Sequence, residues 1–159
     1  MNVLKLGLPK GSLEKATIEL FEKGGWLIKP AARNYFPKID DPELDCSICR
    51  PQEMSRYIES GMLDAGITGK DWTEENNSDA IIVADLVYSK ISNKPTRWVI
   101  AVAGDSSIKT IEDLQGKKVA TELVNVTTRF FKEKNIDVDI EFSWGATEAK
   151  VVSGLADAV

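Results

Sequence analysis

One short element occurs twice in this chain. Ser60-Gly61-Met62-Leu63-Asp64-Ala65-Gly66-Ile67 and Ser153-Gly154-Leu155-Ala156-Asp157-Ala158-Val159 share the pattern Ser-Gly-x-x-Asp-Ala, with apolar residues after it. Each copy reads as a helix stopped by a glycine that can take positive φ, followed by a short strand opening on an aspartate.

The elements around the two copies line up in the same order. Val3 to Leu8 alternates apolar and polar residues as a strand, and Pro9-Lys10-Gly11-Ser12 breaks it. Leu13, Ala16, Thr17, Leu20 and Phe21 then recur at the spacing of a core-facing helix, with Ser12 as its expected N-cap and Gly24-Gly25 at its end. Trp26 to Ile28 reads as a short strand, and residues 33–42 as a loop or ribbon. Leu44 to Cys49 is a strand, Gln52 to Ser60 a helix burying Met54, Tyr57 and Ile58, and Leu63 to Thr68 a strand. A helix runs from Trp72 into Asn76-Asn77-Ser78, and Ala80 to Tyr88 contains a further strand.

After a polar stretch, Lys90 to Thr96, the pattern predicts a strand at Arg97 to Ala103, a short helix at Ser107 to Leu114 and a strand at Lys118 to Thr121. A helix over Asn125 to Asn135, a strand over Val138 to Phe142, a helical stretch over Thr147 to Val152 and a last strand from Gly154 complete the chain. Residues 3–67 and 118–159 thus follow one plan, strand, polar turn, helix, strand, helix, Ser-Gly-x-x-Asp-Ala strand. Two βαβαβ units imply an α/β protein of two lobes with largely parallel sheets, residues 1–93 and 94–159. In such sheets ligands bind beyond the carboxyl ends of the strands, so the turns after the strands are where function is sought.

Composition narrows the classes of function. The net charge of −5 argues against binding nucleic acid or an anionic membrane, because counterion release needs clustered Lys and Arg. No apolar run approaches the ~20 residues that span a bilayer, and Met1 leads into a strand-like stretch rather than a signal peptide. The expected compartment is the cytoplasm. Cys46 and Cys49 have CxxC spacing, but the chain has no histidine and no second cysteine pair. Three apart on a strand, they face opposite sides, so both read as reduced structural cysteines. No Ser/His or Cys/His pairing exists, and neither a Walker sequence nor GxGxxG occurs.

Several turns could carry chemistry. Lys10-Gly11 precedes a helix N-terminus, a place that favours an anion, although a tight turn with a solvated lysine explains the same residues. Thr121-Glu122-Leu123-Val124-Asn125-Val126-Thr127-Thr128 holds the equivalent place in the second unit. It could hold phosphate or ribose, or Asn125 could simply cap the helix. Arg50 follows a strand of the first unit and could grip phosphate in bidentate fashion or pair with Glu53. Asp71 could accept from a nucleotide, help bind Mg²⁺ or cap a helix. Trp144 could meet a base or the lobe interface, or be core. Asp64 and Asp157 open strands at the opposite sheet edge and read as turn-stabilising.

Taken together, Leu8-Pro9-Lys10-Gly11-Ser12-Leu13, Arg50 ahead of the first repeat copy through Thr68-Gly69, Val119-Ala120-Thr121-Glu122 and Trp144-Gly145-Ala146-Thr147-Glu148 resemble the catalytic region of ATP phosphoribosyltransferase. The Thr121-to-Asn125 wording is similar to the long, histidine-regulated form. The resemblance implies two lobes like those of type II periplasmic binding proteins. It also implies the first step of histidine biosynthesis, in which N1 of ATP attacks C1′ of 5-phosphoribosyl pyrophosphate (PRPP) and Mg²⁺-bound pyrophosphate leaves. Loose, cationic transition states need positioning and charge stabilisation, so the lack of histidine is no obstacle. Nucleotide and sugar-phosphate contacts would fall on Lys10, Gly11, Arg50, Asp71, Thr121, Glu122, Asn125, Thr127 and Glu148, with Lys10 and Arg50 the catalytic partners of phosphate and pyrophosphate. ATP and PRPP are the expected partners, in a homo-oligomer. The rival reading is a non-catalytic two-lobed small-molecule binding domain, which stabilisation by amino acids rather than ATP or AMP in a thermal-shift assay would favour.

In that family the last strand continues into a Ser/Thr-Gly-x-Thr loop that holds the 5-phosphate of PRPP, whereas this sequence stops at Val159. The expectation is that the 159-residue chain by itself lacks transferase activity. An assay showing PRPP-dependent turnover of ATP by this chain alone would overturn it.

Overall fold

Strand β1 (Leu4–Pro9) forms because its alternating residues have two neighbours of the same direction. In the computed structural model, which describes residues 3–29, 35–88 and 96–159, β1 pairs in parallel with β4 (Leu44–Cys49) and β5 (Ala65–Gly66). The sheet order is β4-β1-β5. Helix α1 (Glu14–Lys23) follows β1 and α2 (Pro51–Glu59) follows β4; α3 (Lys70–Glu75) comes after β5. A two-stranded antiparallel ribbon pairs β2 (Ile28–Lys29), at the end of the short strand expected over Trp26 to Ile28, with β3 (Lys38–Ile39), inside the stretch 33–42 expected to be loop or ribbon. The chain divides into two compact units, 1–95 and 96–159. The expected lobe boundary, Lys90 to Thr96, lies outside the described residues except for Thr96.

The two faces of the first sheet are filled differently. Leu8, Ile28, Cys46 and Ile48 are buried together, with Leu6, Ile18, Phe21 and Ile39 packed against them. On α1 the buried residue is Thr17, whose hydroxyl donates to the Leu13 carbonyl at 2.8 Å. From α2, fully buried Met54 lies over Gly7 and Gly66, which face each other in the β1–β5 register. A methyl group at either glycine would run into the Met54 thioether, so both positions read as room made for that side chain.

The second unit repeats the plan. β6 (Lys118–Thr121) pairs in parallel with β7 (Asp139–Phe142), and Val119 bridges Ala158 in parallel on its other side, as Leu6 pairs with Ala65. Helix α4 (Val124–Glu133) follows β6 and α5 (Thr147–Val152) follows β7. Ile108, Leu114, Val119, Phe131, Ile136 and Ala158 form the core.

The repeated element has one geometry in both units. Gly61 and Gly154 both take φ +72°. After each, the helix ends in a Schellman turn, with Met62 N–H donating to Tyr57 and Leu155 N–H to Lys150, both at 2.9 Å. The Lys5 N–H then donates to the Asp64 carboxylate at 2.8 Å, and the Lys118 N–H to Asp157 at 2.9 Å. The reciprocal bonds, Asp64 N–H to Lys5 and Asp157 N–H to Lys118, are both 2.9 Å. The turn-stabilising reading of both aspartates matches this geometry.

Several local expectations need correction. Residues 80–88 belong to no strand, and Ile81 and Val83 are 88% and 90% exposed. Among the described residues no strand runs beside them, and an extended segment becomes a strand only by pairing. Tyr88 instead shares a 2.7 Å hydrogen bond with Thr17. Arg97 to Ala103 forms no strand; Ala101 exchanges bonds of 2.8 and 2.9 Å with Val159, and the Ala103 carbonyl accepts the Ser106 N–H at 3.0 Å. The helix expected at Ser107 to Leu114 shrinks to a 3₁₀ turn, Glu112–Leu114. Asp113 there accepts the N–H groups of Lys109 and Thr110, which favours a turn. Neither Ser12 nor Asn125 caps a helix: Leu13 and Leu123 occupy the N-cap positions and make no side-chain cap bond. No helix among the described residues is long and apolar enough to cross a membrane.

Gly7→Ala should lower stability by about 1–3 kcal/mol, the usual cost of overpacking. Combined with Met54→Ala it should cost less than the sum of the two single changes, because the space is vacated. Denaturant melts of the four proteins check this, and strict additivity would show that Met54 is not what Gly7 accommodates.

Candidate functional site

Parallel strands put all their carboxyl ends on one edge of a sheet, so the residues after β1, β4 and β5 share an edge in the first unit. Pro9 and Cys49 are register partners, and the Lys10 N–H donates to the Cys49 carbonyl at 2.8 Å. Lys10 and Arg50 therefore leave the sheet side by side, both exposed. Gly11, with φ +91°, carries the chain from Lys10 toward α1.

The Lys10 ammonium is held from the side. It donates to the Tyr35 hydroxyl at 2.8 Å and lies 4.0 Å from the centre of the Tyr35 ring. Tyr35 is fixed in turn by its carbonyl, which accepts the Ile48 N–H of β4 at 2.7 Å. The hydrogen bond from Lys10 and the charge of that ammonium, with a smaller contribution from Arg50, hold the Tyr35 phenol below its ordinary pKa. Asp71 sits in the first turn of α3, at the β5 end of the edge. It accepts the Trp72 N–H at 2.9 Å, so its carboxylate serves its own turn.

The thiol beside this edge is not a nucleophile. Burial, with help from Glu53, pushes the Cys49 pKa up to about 11, and burial raises Cys46 as well. Both cysteines are free and protonated at neutral pH.

The second unit presents hydroxyls and an apolar hollow instead of cations. Thr121, at the end of β6, is buried, and its hydroxyl accepts the Leu123 N–H at 3.0 Å and the Thr127 hydroxyl at 3.2 Å. Thr121 thus supplies the anchoring of the α4 start that the sequence assigned to Asn125. Thr121, Glu122, Thr127 and Glu148 line one cavity of about 720 Å³, whose remaining wall includes Trp98, Val126 and Phe130. Asn125 is not among the lining residues. Trp144 is 85% exposed at the tip of the turn after β7, so the core alternative for it is wrong. It packs edge-on against Phe142 with ring centres 4.7 Å apart.

The structure therefore brings Lys10, Gly11 and Arg50 together in one unit and Thr121, Glu122, Thr127 and Glu148 together in the other. Tyr35 is the residue that sequence reasoning passed over. It lies 25 positions from the lysine it touches, in a stretch with neither helical nor strand period, and no local signal marks it.

The family model for ATP phosphoribosyltransferase matches residues 50–159. ATP phosphoribosyltransferases of Desulfatibacillum aliphaticivorans and Solidesulfovibrio magneticus are 66% and 67% identical to it over 158 residues, 99% of this chain. That region is 54% of each relative, so the chain spans about half the length of the curated relatives it matches. Among solved structures, the ATP phosphoribosyl transferase (HisG:HisZ) complex from Thermotoga maritima matches with a TM-score of 0.78 at 26% identity, covering 98% of this chain and 72% of that one. The periplasmic aliphatic sulphonate binding protein SsuA of Escherichia coli matches with a TM-score of 0.51 at 25% identity, over 99% of this chain and 50% of that one. The fold is thus the two-unit α/β plan of the type II periplasmic binding proteins, and the chain belongs to the ATP phosphoribosyltransferase family.

Proposed function

We propose that this chain carries substrate-binding parts of an ATP phosphoribosyltransferase, which joins N1 of the ATP adenine to C1′ of PRPP in the first step of histidine biosynthesis. The observation that carries the reading is the pair of cations, Lys10 and Arg50, leaving adjacent parallel strands in a chain of this family. In the reaction the N1 lone pair forms the new bond to C1′ as the bond from C1′ to the pyrophosphate oxygen breaks. The electron pair of that bond leaves with pyrophosphate. Charge accumulates on the leaving group, and two cations placed before the reaction stabilise it without reorganising.

Mg²⁺ would arrive on the pyrophosphate and supply further charge neutralisation there. Among the described residues no group of three or more His, Cys, Asp or Glu residues could hold a metal ion. The Thr121, Glu122, Thr127 and Glu148 cavity offers hydroxyls and carboxylates to a ribose or adenine. Asn125, in the first turn of α4, and Asp71, in the first unit, stay contacts that the family resemblance alone suggests. The related Thermotoga maritima structure is of a two-component complex, and association of this chain with further copies or subunits fits the same reading. The compartment that goes with such biosynthesis is the cytoplasm.

Lys10→Ala and Arg50→Ala should each weaken binding of Mg²⁺·PRPP to this chain on the order of tenfold or more, as loss of a charge-assisted contact does. Isothermal titration calorimetry checks it. Unchanged affinity in both variants, with stabilisation of the wild type by amino acids and not by ATP, would replace the transferase reading with the binding-domain one.

A further inference from the structure

The anion edge of the first unit contains a residue that belongs to neither of its strand ends. Tyr35 reaches it from the segment before β3, anchored at one end by the Ile48 N–H on its carbonyl. At the other end its hydroxyl accepts from Lys10 Nζ at 2.8 Å while its ring faces the same ammonium at 4.0 Å. A lysine side chain has four rotatable bonds, and an exposed one spends them freely. A phenol fixed to the sheet by a backbone bond removes that freedom before any ligand arrives.

We infer that Tyr35 is a positioning residue for anion binding: it holds the Lys10 ammonium in place beside Arg50 at the carboxyl ends of β1 and β4. The inference rests on the reading that Lys10 and Arg50 meet an anionic substrate. An ammonium has three donors, and the bond to Tyr35 uses one, which leaves two for phosphate oxygens. The prearranged side chain costs less entropy on binding than a free one.

The same placement makes the site sensitive to alkaline pH. The charged groups facing the phenol are Lys10 from the end of β1 and Arg50 from the end of β4, and both favour its ionised form. While protonated, Tyr35 is a neutral acceptor that orients Lys10. Once ionised it becomes an anion against the Lys10 ammonium and within the field of Arg50, cancels part of their charge and repels the ligand. Linkage requires the converse: a bound anion must push the Tyr35 pKa back up.

Inorganic pyrophosphate is a sufficient probe. Titrated calorimetrically into the 159-residue chain and its Tyr35→Phe variant between neutral and alkaline pH, the ratio of the two affinities cancels the ligand's own protonation. The wild type should bind about threefold to tenfold more tightly at neutral pH, the worth of one ordered side chain. That advantage should vanish or invert as pH rises through the Tyr35 ionisation, because phenylalanine cannot ionise.

Absorbance at 295 nm gives an independent readout. The chain has three tyrosines, and the phenols of Tyr57 and Tyr88 are both pushed up, by Glu53 and by burial respectively. The first tyrosinate step should be missing in Tyr35→Phe and should move to higher pH in the wild type when pyrophosphate is added. Equal affinities at every pH, or tighter neutral binding by Tyr35→Phe, would overturn the positioning role. Strong loss of binding in Lys10→Ala beside an unaffected Tyr35→Phe would remove Tyr35 alone. Full binding in both Lys10→Ala and Arg50→Ala would remove the anion reading and the inference with it.

Discussion

In each unit one aspartate fixes the height of the third strand against the first. The Asp64 carboxylate accepts the Lys5 N–H while the Asp64 backbone N–H donates to the Lys5 carbonyl, and Asp157 does the same with Lys118. A strand of two residues, such as β5, makes too few ladder bonds to define its own register, and a slip of one residue would turn its side chains to the wrong face. The carboxylate clamp removes that ambiguity at the amino end of the strand. Its consequence appears at the other end, where all turns leave the sheet at one level. Gly7 and Gly66 then fall opposite each other under Met54, while the longer β1–β4 register by itself makes Lys10 and Arg50 neighbours.

The two units use this common frame for different chemistry. The first puts cations at its carboxyl edge, with a protonated thiol beneath them that contributes packing and no reactivity. The second puts buried and half-buried hydroxyls there, beside a largely apolar wall. On the proposed reading, the charge that develops on a departing polyanion is met by the cations of the first unit, and such a step asks for no nucleophilic side chain.

What the sequence discloses depends on how local the cause is. The strands Leu44 to Cys49 and Lys118 to Thr121 and the helix Thr147 to Val152 can be read to their limits, because alternation and apolar spacing are properties of the segment itself. The repeat is legible for the same reason, as both copies spell out a Schellman turn and its aspartate. Residues 80–88 have strand composition but no strand paired with them among the described residues, and pairing cannot be read from one segment. Ser12 and Asn125 are cap residues by type, yet Ser12 lies one residue before the actual cap position, Leu13, and Asn125 two residues after its own, Leu123. Of the site, the cations after strands were visible as turn residues. The Lys10–Tyr35 contact was not, since it depends on where a ribbon 25 residues away returns to the sheet.

Hydrogen-bond direction sorts the hydroxyls of the second unit further. Thr121 Oγ1 accepts twice, from the Leu123 N–H and from Thr127 Oγ1, and so keeps its own proton to give. Thr127 has given its proton to Thr121 and keeps lone pairs. A phosphate oxygen accepts only, whereas a ribose hydroxyl or the adenine amino group also donates. On the proposed reading Thr121 is therefore the hydroxyl suited to an anionic oxygen, and Thr127 the one suited to a nucleoside donor. Because the Thr121 hydroxyl also holds the first turn of α4, a ligand that draws on its proton pulls on the start of that helix. On that reading, substrate contact and local structure in this unit share one atom, the Thr121 hydroxyl oxygen.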